Sequence, residues 1–276
     1  MSYRIYERKM IMGVYVVTGG SGGIGGKTVE ALKNSGHEVI NVDMKGGDIC
    51  GNLATVEGRE EVIRQIHERC PDGIDGLCCV AGVSGDGRDL KLIVSLNYFG
   101  AVRLAEGVYD LLKKKRGSCV MIVSNTISQG AARMDVVHML NSAKDASDER
   151  DILALCDRFD GKNLSVGNSY YVATKYALAR WVRRVSASWA ANGVRINSVA
   201  PGNVATPMTD SMGAQAKAAL EALPIPINYG TSELMRPEDI ANGVAFLASP
   251  QAHGINGVIL FVDGGTDALL NPDKVY

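Results

Sequence analysis

Apolar residues fall along this chain in short runs separated by stretches with helical spacing, so that strand and helix alternate from end to end. Val14 to Val17 is a strand that enters a glycine-rich turn, and Lys27 to Asn34 continues as a helix stopped by Gly36. Val39 to Val42 forms a second strand ending at Asp43, and Glu57 to Cys70 a helix with Val62, Ile66 and Arg69 on helical spacing. Leu77 to Val80 reads as a buried strand. Ile93, Leu96, Val102, Leu104, Val108 and Leu111 predict one long helix over Leu92 to Leu112, followed by the apolar run Cys119 to Val123. A helix over Tyr171 to Ala191, a strand over Val194 to Ser198, a helix over Pro237 to Ala248 and a strand over Val258 to Val262 complete the series, which closes on Asp263-Gly264-Gly265. About seven strands with right-handed crossovers make a doubly wound α/β fold of Rossmann type the economical topology. Its sheet is parallel, with helices on both faces and ligands beyond the carboxyl ends of the strands.

Composition narrows the function classes. The 276 residues, 46% of them hydrophobic, suffice for a sizeable core, and no shift in composition marks a boundary, so a single domain over 1–276 is expected. A net charge of −1 leaves no field to gather nucleic acid or coat an anionic membrane, which points to a small neutral or weakly charged substrate. Lys113 to Arg116 (KKKR) ends a predicted helix, where cations complement the helix dipole and stay solvated. The six cysteines, Cys50, Cys70, Cys78, Cys79, Cys119 and Cys156, contain no CxxC pair and no disulfide-framework spacing, so reduced thiols in a cytoplasmic protein are expected. Cys78 and Cys79, adjacent on a strand, point to opposite faces and are not expected to pair. His37, His67, His138 and His253 stand far apart, and no metal is expected. Met1 to Met12 is charged, lacks the roughly 7–15-residue apolar core of a signal peptide, and reads as an extension ahead of the first strand.

Three features carry chemistry. The turn TGGSGGIG, Thr18 to Gly25, follows a strand and opens a helix, the context in which glycines let backbone amides approach a pyrophosphate. Its glycines are spaced Gly19-x-x-x-Gly23-x-Gly25, and Asp43 stands 18 residues beyond Gly25 at the end of the second strand. A carboxylate there accepts the adenosine ribose hydroxyls and repels a 2′-phosphate, and no cation lies inside the turn although Lys45 is close, so NAD is expected over NADP. Ser124 follows the apolar run Cys119 to Val123, and Tyr171 precedes Lys175 by one helical turn on a shared face. A free phenol, with a pKa of about 10, is a poor acid-base group at neutral pH; an adjacent ammonium and the charge of an oxidised nicotinamide both favour the phenolate. Together these features describe a nicotinamide oxidoreductase.

With Cys78-Cys79-Val80-Ala81-Gly82, Asn97 and Pro201-Gly202-x-x-x-Thr206, these motifs resemble the short-chain dehydrogenase/reductases over nearly the whole chain. The resemblance implies that Ser124 hydrogen-bonds the substrate oxygen, Tyr171 transfers its proton, Lys175 lowers the tyrosine pKa and Asn97 supports a water-mediated relay. It also implies a dinucleotide site made of Gly19, Ser21, Gly22, Gly23, Ile24, Asp43, Met44, Asn52, Leu53, Ala81, Gly82, Tyr171, Lys175, Pro201, Gly202, Val204 and Thr206, with Thr206 on the carboxamide. Gly117 to Val123 looks like the family's fifth strand, which selects Ser124 over Ser118 and keeps Ser128 as the fallback. Two departures stand out. Cys79 and Val80 replace asparagines of the family's turn, which leaves any stabilising polar contact there open. And 47 positions separate Ser124 from Tyr171, far more than the common family pattern, so something is inserted.

The insert spans about residues 130–167. Val136 to Leu140 suggests one helix, and Ile152, Leu155, Cys156 and Phe159 suggest a second, amphipathic one. It serves either as a cap on the domain's own core or as a partner-facing surface. The insert, Ser95 to Gly100, Gly51 to Arg59 and Asp75-Gly76-Leu77 are similar to the family's bacterial 3α-hydroxysteroid dehydrogenase/carbonyl reductase group, which implies a homo-oligomer shifted towards a dimer rather than a tetramer. Between about 205 and 235, Met208, Met212, Leu220, Leu223, Ile225 and Ile227 with Pro224 and Pro226 form an apolar lid suited to a large hydrophobic ligand. The expected activity is NAD-dependent interconversion of a secondary alcohol and a ketone, with a 3α-hydroxysteroid or bile acid as substrate. Aryl-alcohol dehydrogenases resembling coniferyl-alcohol dehydrogenase share the insert and are the alternative; a nucleotide-sensing binding protein on the same fold is the second.

Overall fold

The computed structural model describes residues 12–130, 132–228, 231 and 233–275, so all of the predicted N-terminal extension except Met12 lies outside the described residues. Seven strands, β1 (Val14–Thr18), β2 (Glu38–Asp43), β3 (Ile49–Cys50), β4 (Gly76–Cys79), β5 (Ser118–Ile122), β6 (Arg195–Pro201) and β7 (Ile259–Val262), form one sheet. Every pairing is parallel, in the order β3-β2-β1-β4-β5-β6-β7, which makes the doubly wound Rossmann-type sheet expected from the alternation. The order reverses between β1 and β4, so the loops after these two strands part and leave a crevice at the carboxyl edge.

The strands are apolar on both faces because both faces are covered. Val16, Val42, Cys79 and Met121 belong to one buried cluster, while Val17, Val39, Cys78 and Val120 belong to the other. Cys78 and Cys79 thus point to opposite sides of the sheet, and all six cysteines are free thiols. On one face lie α2 (Val56–Arg69), α4 (Ala101–Gly107), α5 (Tyr109–Lys115) and α8 (Leu164–Ala190), with Ile66, Leu104, Leu112 and Ala177 in the core. On the other, α1 (Gly23–Asn34) and α11 (Pro237–Ala248) bury Leu32, Ile240 and Val244. Gly36 takes the left-handed conformation, φ 79°, that ends α1. Among the described residues no helix is long and apolar enough to cross a membrane.

Two predicted helices differ from the structure. The single helix over Leu92 to Leu112 is α3 (Leu90–Val94), a π-helical stretch over Ser95–Gly100, then α4 and α5, separated at Val108 where φ is −112°. Buried side chains continue through the irregular stretch, so the apolar spacing conceals it. The helix bearing Tyr171 begins seven residues earlier, at Leu164, where the Asn163 side chain accepts the amides of Ser165 (3.0 Å) and Val166 (3.3 Å).

The 130–167 stretch supplies α6 (Met134–Ser142), α7 (Ala146–Cys156) and the first turn of α8. Val136, Val137, Leu140, Ile152 and Cys156 are buried in the main core, while Phe159 lies beyond the end of α7 and is half exposed. The insert is tied inward by an ion pair: Arg59 of α2 donates through Nη2 to both Glu149 oxygens at 2.7 Å, both side chains being 4% exposed. Arg59 Nη1 also donates to the Leu53 carbonyl at 3.2 Å.

Candidate functional site

The glycine turn is shaped by close backbone approach. Gly19 sits at φ +70°, and a Cβ there would stand 3.0 Å from the Ala81 backbone; a Cβ on Gly25 would fall 2.1 Å from the Gly19 carbonyl oxygen. The start of α1 is therefore pressed onto the turn. Gly22, its N-cap, offers no side chain, the first turn holds no acid, and a Cβ on Gly22 would meet nothing within 4 Å. This leaves the first amides of α1 open to an anion. Beside them the Asp43 carboxylate accepts the amides of Ser21 (3.0 Å) and Met44 (2.7 Å), which fixes its orientation at the end of β2. The turn after β4 has the polar support that its sequence does not reveal: Thr18 Oγ1 accepts the amides of both Val80 and Ala81 at 3.0 Å.

The second half of the site lies past β5. Ser124 leaves the strand extended and starts a short 3-10 turn, Asn125–Ser128, with its hydroxyl bonded to that of Thr126 at 3.1 Å. Ser124 and Tyr171 line the same cleft. Lys175, one turn further along α8, is buried and donates through Nζ to the Ile122 carbonyl at 2.9 Å, 5.9 Å from the Tyr171 ring centre. Burial brings the Lys175 ammonium down to about 8 and pushes the Tyr171 phenol up, the Ser124 hydroxyl opposing the latter. The competing groups are elsewhere. Ser118 donates to the Leu247 carbonyl, Ser128 to the Asn125 carbonyl, and Tyr170 is buried against Phe159 and Arg133.

One cleft of about 690 Å³ joins these halves. It is lined by Gly19, Gly22, Gly23, Ile24, Asp43, Met44, Leu53, Ala81, Gly82, Ser124, Tyr171, Lys175, Pro201, Gly202, Val204 and Thr206. Of the residues expected there, Ser21, Asn52 and Asn97 stand outside the lining. Ser21 supports Asp43, Asn52 accepts the Ala54 amide at 3.0 Å, and Asn97 commits its side-chain amide to Val83, accepting its N–H at 2.8 Å and donating to its carbonyl at 2.9 Å. Asn97 nevertheless stays close to the reacting groups, since a Cβ on Gly82 would lie 3.0 Å from its Oδ1 and 3.5 Å from Lys175 Nζ.

The 205–235 segment folds over the cleft as α9 (Pro207–Asp210), α10 (Ala214–Glu221) and a turn at Pro226–Asn228. Met208, Met212, Leu220 and Leu223 line the cleft as the apolar pattern implies. Ile225 and Ile227 do not. Ile225 is buried in the second core cluster, and Ile227, whose amide donates to the Gly264 carbonyl at 3.0 Å, is 72% exposed. The base of the segment is closed by backbone bonds between Ala205 and Met235 and between Met235 and Asn203, each 2.9 Å. At its tip the Gly213 amide donates to Asp86 Oδ2 at 2.8 Å, across the mouth. Asp86, Gln129 and Asn168 also line the cleft, though the sequence does not mark them: they belong to no local motif, and only the fold brings them together.

Residues 154–267 match the family model described as enoyl-(acyl carrier protein) reductase. Fold, motifs and full-length relatives agree that the chain belongs to the short-chain dehydrogenase/reductase family. Among its relatives is the 3-alpha-hydroxysteroid dehydrogenase/carbonyl reductase of Comamonas testosteroni, 32% identical over 265 residues, covering 95% of this chain and 100% of the relative. The coniferyl-alcohol dehydrogenase of a Pseudomonas species is 30% identical, covering 91% of this chain and 94% of that one. The crystal structure of the 3-alpha-hydroxysteroid dehydrogenase from Pseudomonas sp. B-0831 complexed with NADH superposes with a TM-score of 0.85 at 33% identity, covering 95% of this chain and 100% of that chain.

Proposed function

We propose that this protein is an NAD-dependent dehydrogenase that interconverts a secondary alcohol and a ketone, with a 3α-hydroxysteroid as its substrate class. The observation that carries the reading is the single cleft with Ser124, Tyr171 and Lys175 at one end of an apolar lining and the glycine cradle with Asp43 at the other. The residues fit a dinucleotide: the open amides of α1 suit its pyrophosphate, Asp43 its adenosine ribose, Lys175 and Thr206 its nicotinamide half. When bound, NAD supplies the hydride acceptor. Ser124 holds the carbinol oxygen, the Tyr171 phenolate takes the hydroxyl proton as the carbon-bound hydrogen leaves as hydride, and the Lys175 ammonium favours that phenolate. Asn97 acts by fixing the Val83 turn beside Gly82.

The choice of NAD rests on Asp43. Asp43→Ala is expected to raise KM for NAD about 10–100-fold, through the loss of charged hydrogen bonds to the ribose, and to improve use of NADP. A variant whose NAD/NADP preference matches the wild type would show that Asp43 does not read the ribose. Formation of reduced cofactor, followed with hydroxysteroids oxidised at different positions, bile acids and coniferyl alcohol, tests the substrate class. Turnover of coniferyl alcohol alone would move the chain to the aryl-alcohol reading that its second relative supports. Tight NAD binding without turnover of any alcohol would favour nucleotide sensing. A homo-oligomer, a dimer in the first instance, belongs to the same proposal, and a native mass near four chains would overturn the dimer. The free thiols are consistent with a cytoplasmic location.

A further inference from the structure

The tip of the 205–235 segment is tied to the opposite wall of the cleft through a residue that the chemistry above does not use. Gly213, the N-cap of α10, donates its amide to Asp86 Oδ2 at 2.8 Å. Among the described residues this is the only hydrogen bond of the Asp86 carboxylate, and the only one between residues 207–223 and any part of the chain before Asn203. The far end of α10 is held separately, where Asn203 donates through Nδ2 to the Leu220 carbonyl at 2.9 Å. Between these two ties Met212, Ala216, Ala219 and Leu220 line the cleft, as Asp86 does. The eight residues of α10 are too few for a helix to persist in water alone, so its seating depends on the ties at its ends and on the packing of the buried Ala216.

The wall that carries Asp86 is braced on its own side. Asn97 accepts the Val83 N–H at 2.8 Å and donates to the Val83 carbonyl at 2.9 Å, three residues before Asp86. Next to Asp86 the backbone is pressed onto α8: a Cβ on Gly85 would stand 2.6 Å from the Gly167 carbonyl oxygen, and one on Gly167 2.0 Å from the Gly85 carbonyl oxygen. The carboxylate therefore stands on a fixed support, and the segment tip is the partner that can leave. The bond joins protein groups alone, so it forms without help from a ligand. A wall already in place need not be ordered by the substrate, which raises affinity for a molecule that touches the wall and does nothing for one that does not.

We propose that Asp86 is a positioning residue that sets substrate size: by latching Gly213 it holds Met212 and the cleft-facing side of α10 as a preformed apolar wall, so that the enzyme favours bulky fused-ring alcohols over small cyclic ones. The size preference rests on the alcohol-dehydrogenase reading; the latch itself does not. In Asp86→Ala, KM for a 3α-hydroxysteroid is expected to rise about tenfold, the reach of one hydrogen bond to a charged group, with kcat no lower than in wild type, while KM for cyclohexanol and for NAD changes by less than about twofold. Asp86→Asn keeps an acceptor oxygen for the Gly213 amide and is expected to recover most of the loss. Gly213→Pro removes the donor instead. Gly213 sits at φ −67°, which a proline ring adopts, and the variant is expected to copy Asp86→Ala, with no further loss when the two are combined.

Hydrogen exchange followed by mass spectrometry on the full chain, with neither cofactor nor substrate added, reads the latch directly. Amides from Lys217 to Glu221 are expected to exchange about tenfold faster in Asp86→Ala and in Gly213→Pro than in wild type, and at close to the wild-type rate in Asp86→Asn. Either of the first two variants suffices should the other fail to fold. A KM that rises equally for the steroid and for cyclohexanol, an Asp86→Asn enzyme as impaired as Asp86→Ala, or α10 exchange indifferent to all three substitutions would overturn the proposal. If exchange responds as expected but no alcohol is oxidised, the dehydrogenase reading falls, and the size preference with it, while the latch stands. If alcohols are oxidised with a size preference that none of the substitutions alters, the dehydrogenase reading stands and the proposal for Asp86 falls.

Discussion

Tyr171→Phe is expected to lower kcat for alcohol oxidation by about 10²–10⁴-fold, the usual reach of a positioned acid-base group, while leaving cofactor binding in place. The phenol oxygen is what the variant loses; the ring keeps its packing against the main core. The pH dependence has a definite sign. In the proposed mechanism oxidation uses the phenolate, and burial pushes the phenol up, so kcat/KM for oxidation is expected to rise with pH. Ketone reduction uses the protonated phenol and falls over the same range. Lys175, brought by burial to about 8, carries its charge only below that pH, so its pull on the phenol acts there, and Lys175→Met is expected to lower kcat/KM for oxidation below about pH 8 while leaving the limb at higher pH, where the wild-type lysine is already neutral, nearly in place. Rate–pH profiles of wild type and both variants decide this. A Tyr171→Phe enzyme within tenfold of wild type would remove Tyr171 from the chemistry, and a Lys175→Met enzyme as active as wild type below about pH 8 would remove the electrostatic role of the lysine.

The second large effect concerns stability. Glu149→Ala leaves the Arg59 guanidinium buried and unpaired between α2 and α7, and breaking a buried ion pair of this kind costs about 3–5 kcal/mol. For a chain of this size Tm should fall by roughly 10 °C. Replacing both partners by methionine and leucine is expected to recover most of the loss, because an apolar pair of similar volume removes the uncompensated charge. The cleft should register the change as well. Arg59 Nη1 holds the Leu53 carbonyl, and Leu53 lines the nucleotide end; the single variant keeps this bond and the double variant loses it, so the double variant is expected to bind NAD more weakly than the single one. Thermal unfolding followed by cofactor titration separates the two consequences. A Glu149→Ala protein as stable as wild type would mean that the guanidinium finds water or another acceptor.

Much of the site is legible in the sequence because its strongest elements are local. The glycine turn, Asp43, Ser124 and the Tyr171 to Lys175 turn each declare themselves within a few residues, and the alternation of strands and helices puts them at one sheet edge. What escapes depends on contacts between distant segments. Apolar spacing from Ile93 to Leu111 persists through the π-helical stretch, yet the irregular backbone there carries Asn97 to Val83 rather than into the cleft. The first turn of α8 is hidden by Gly167, a poor helix former, whose presence has a tertiary reason: a Cβ there would lie 2.0 Å from the Gly85 carbonyl oxygen. Thr18, Arg59 and Asp86 match no motif of their own. Val80 and Ala81, Glu149 and Gly213, to which they bond, lie tens of residues away, where no window on the sequence can find them.

Backbone bonds from Asn203 and Ala205 to Met235 pin both feet of the 205–235 segment beside β6, so the cleft wall between those feet is anchored independently of Ser124 and Tyr171. The cleft is thereby built from two separately supported parts: the glycine turn and α8 belong to the sheet and its helices, while the apolar wall carrying Met208, Met212, Leu220 and Leu223 hangs between the pinned feet and can be exchanged as one piece.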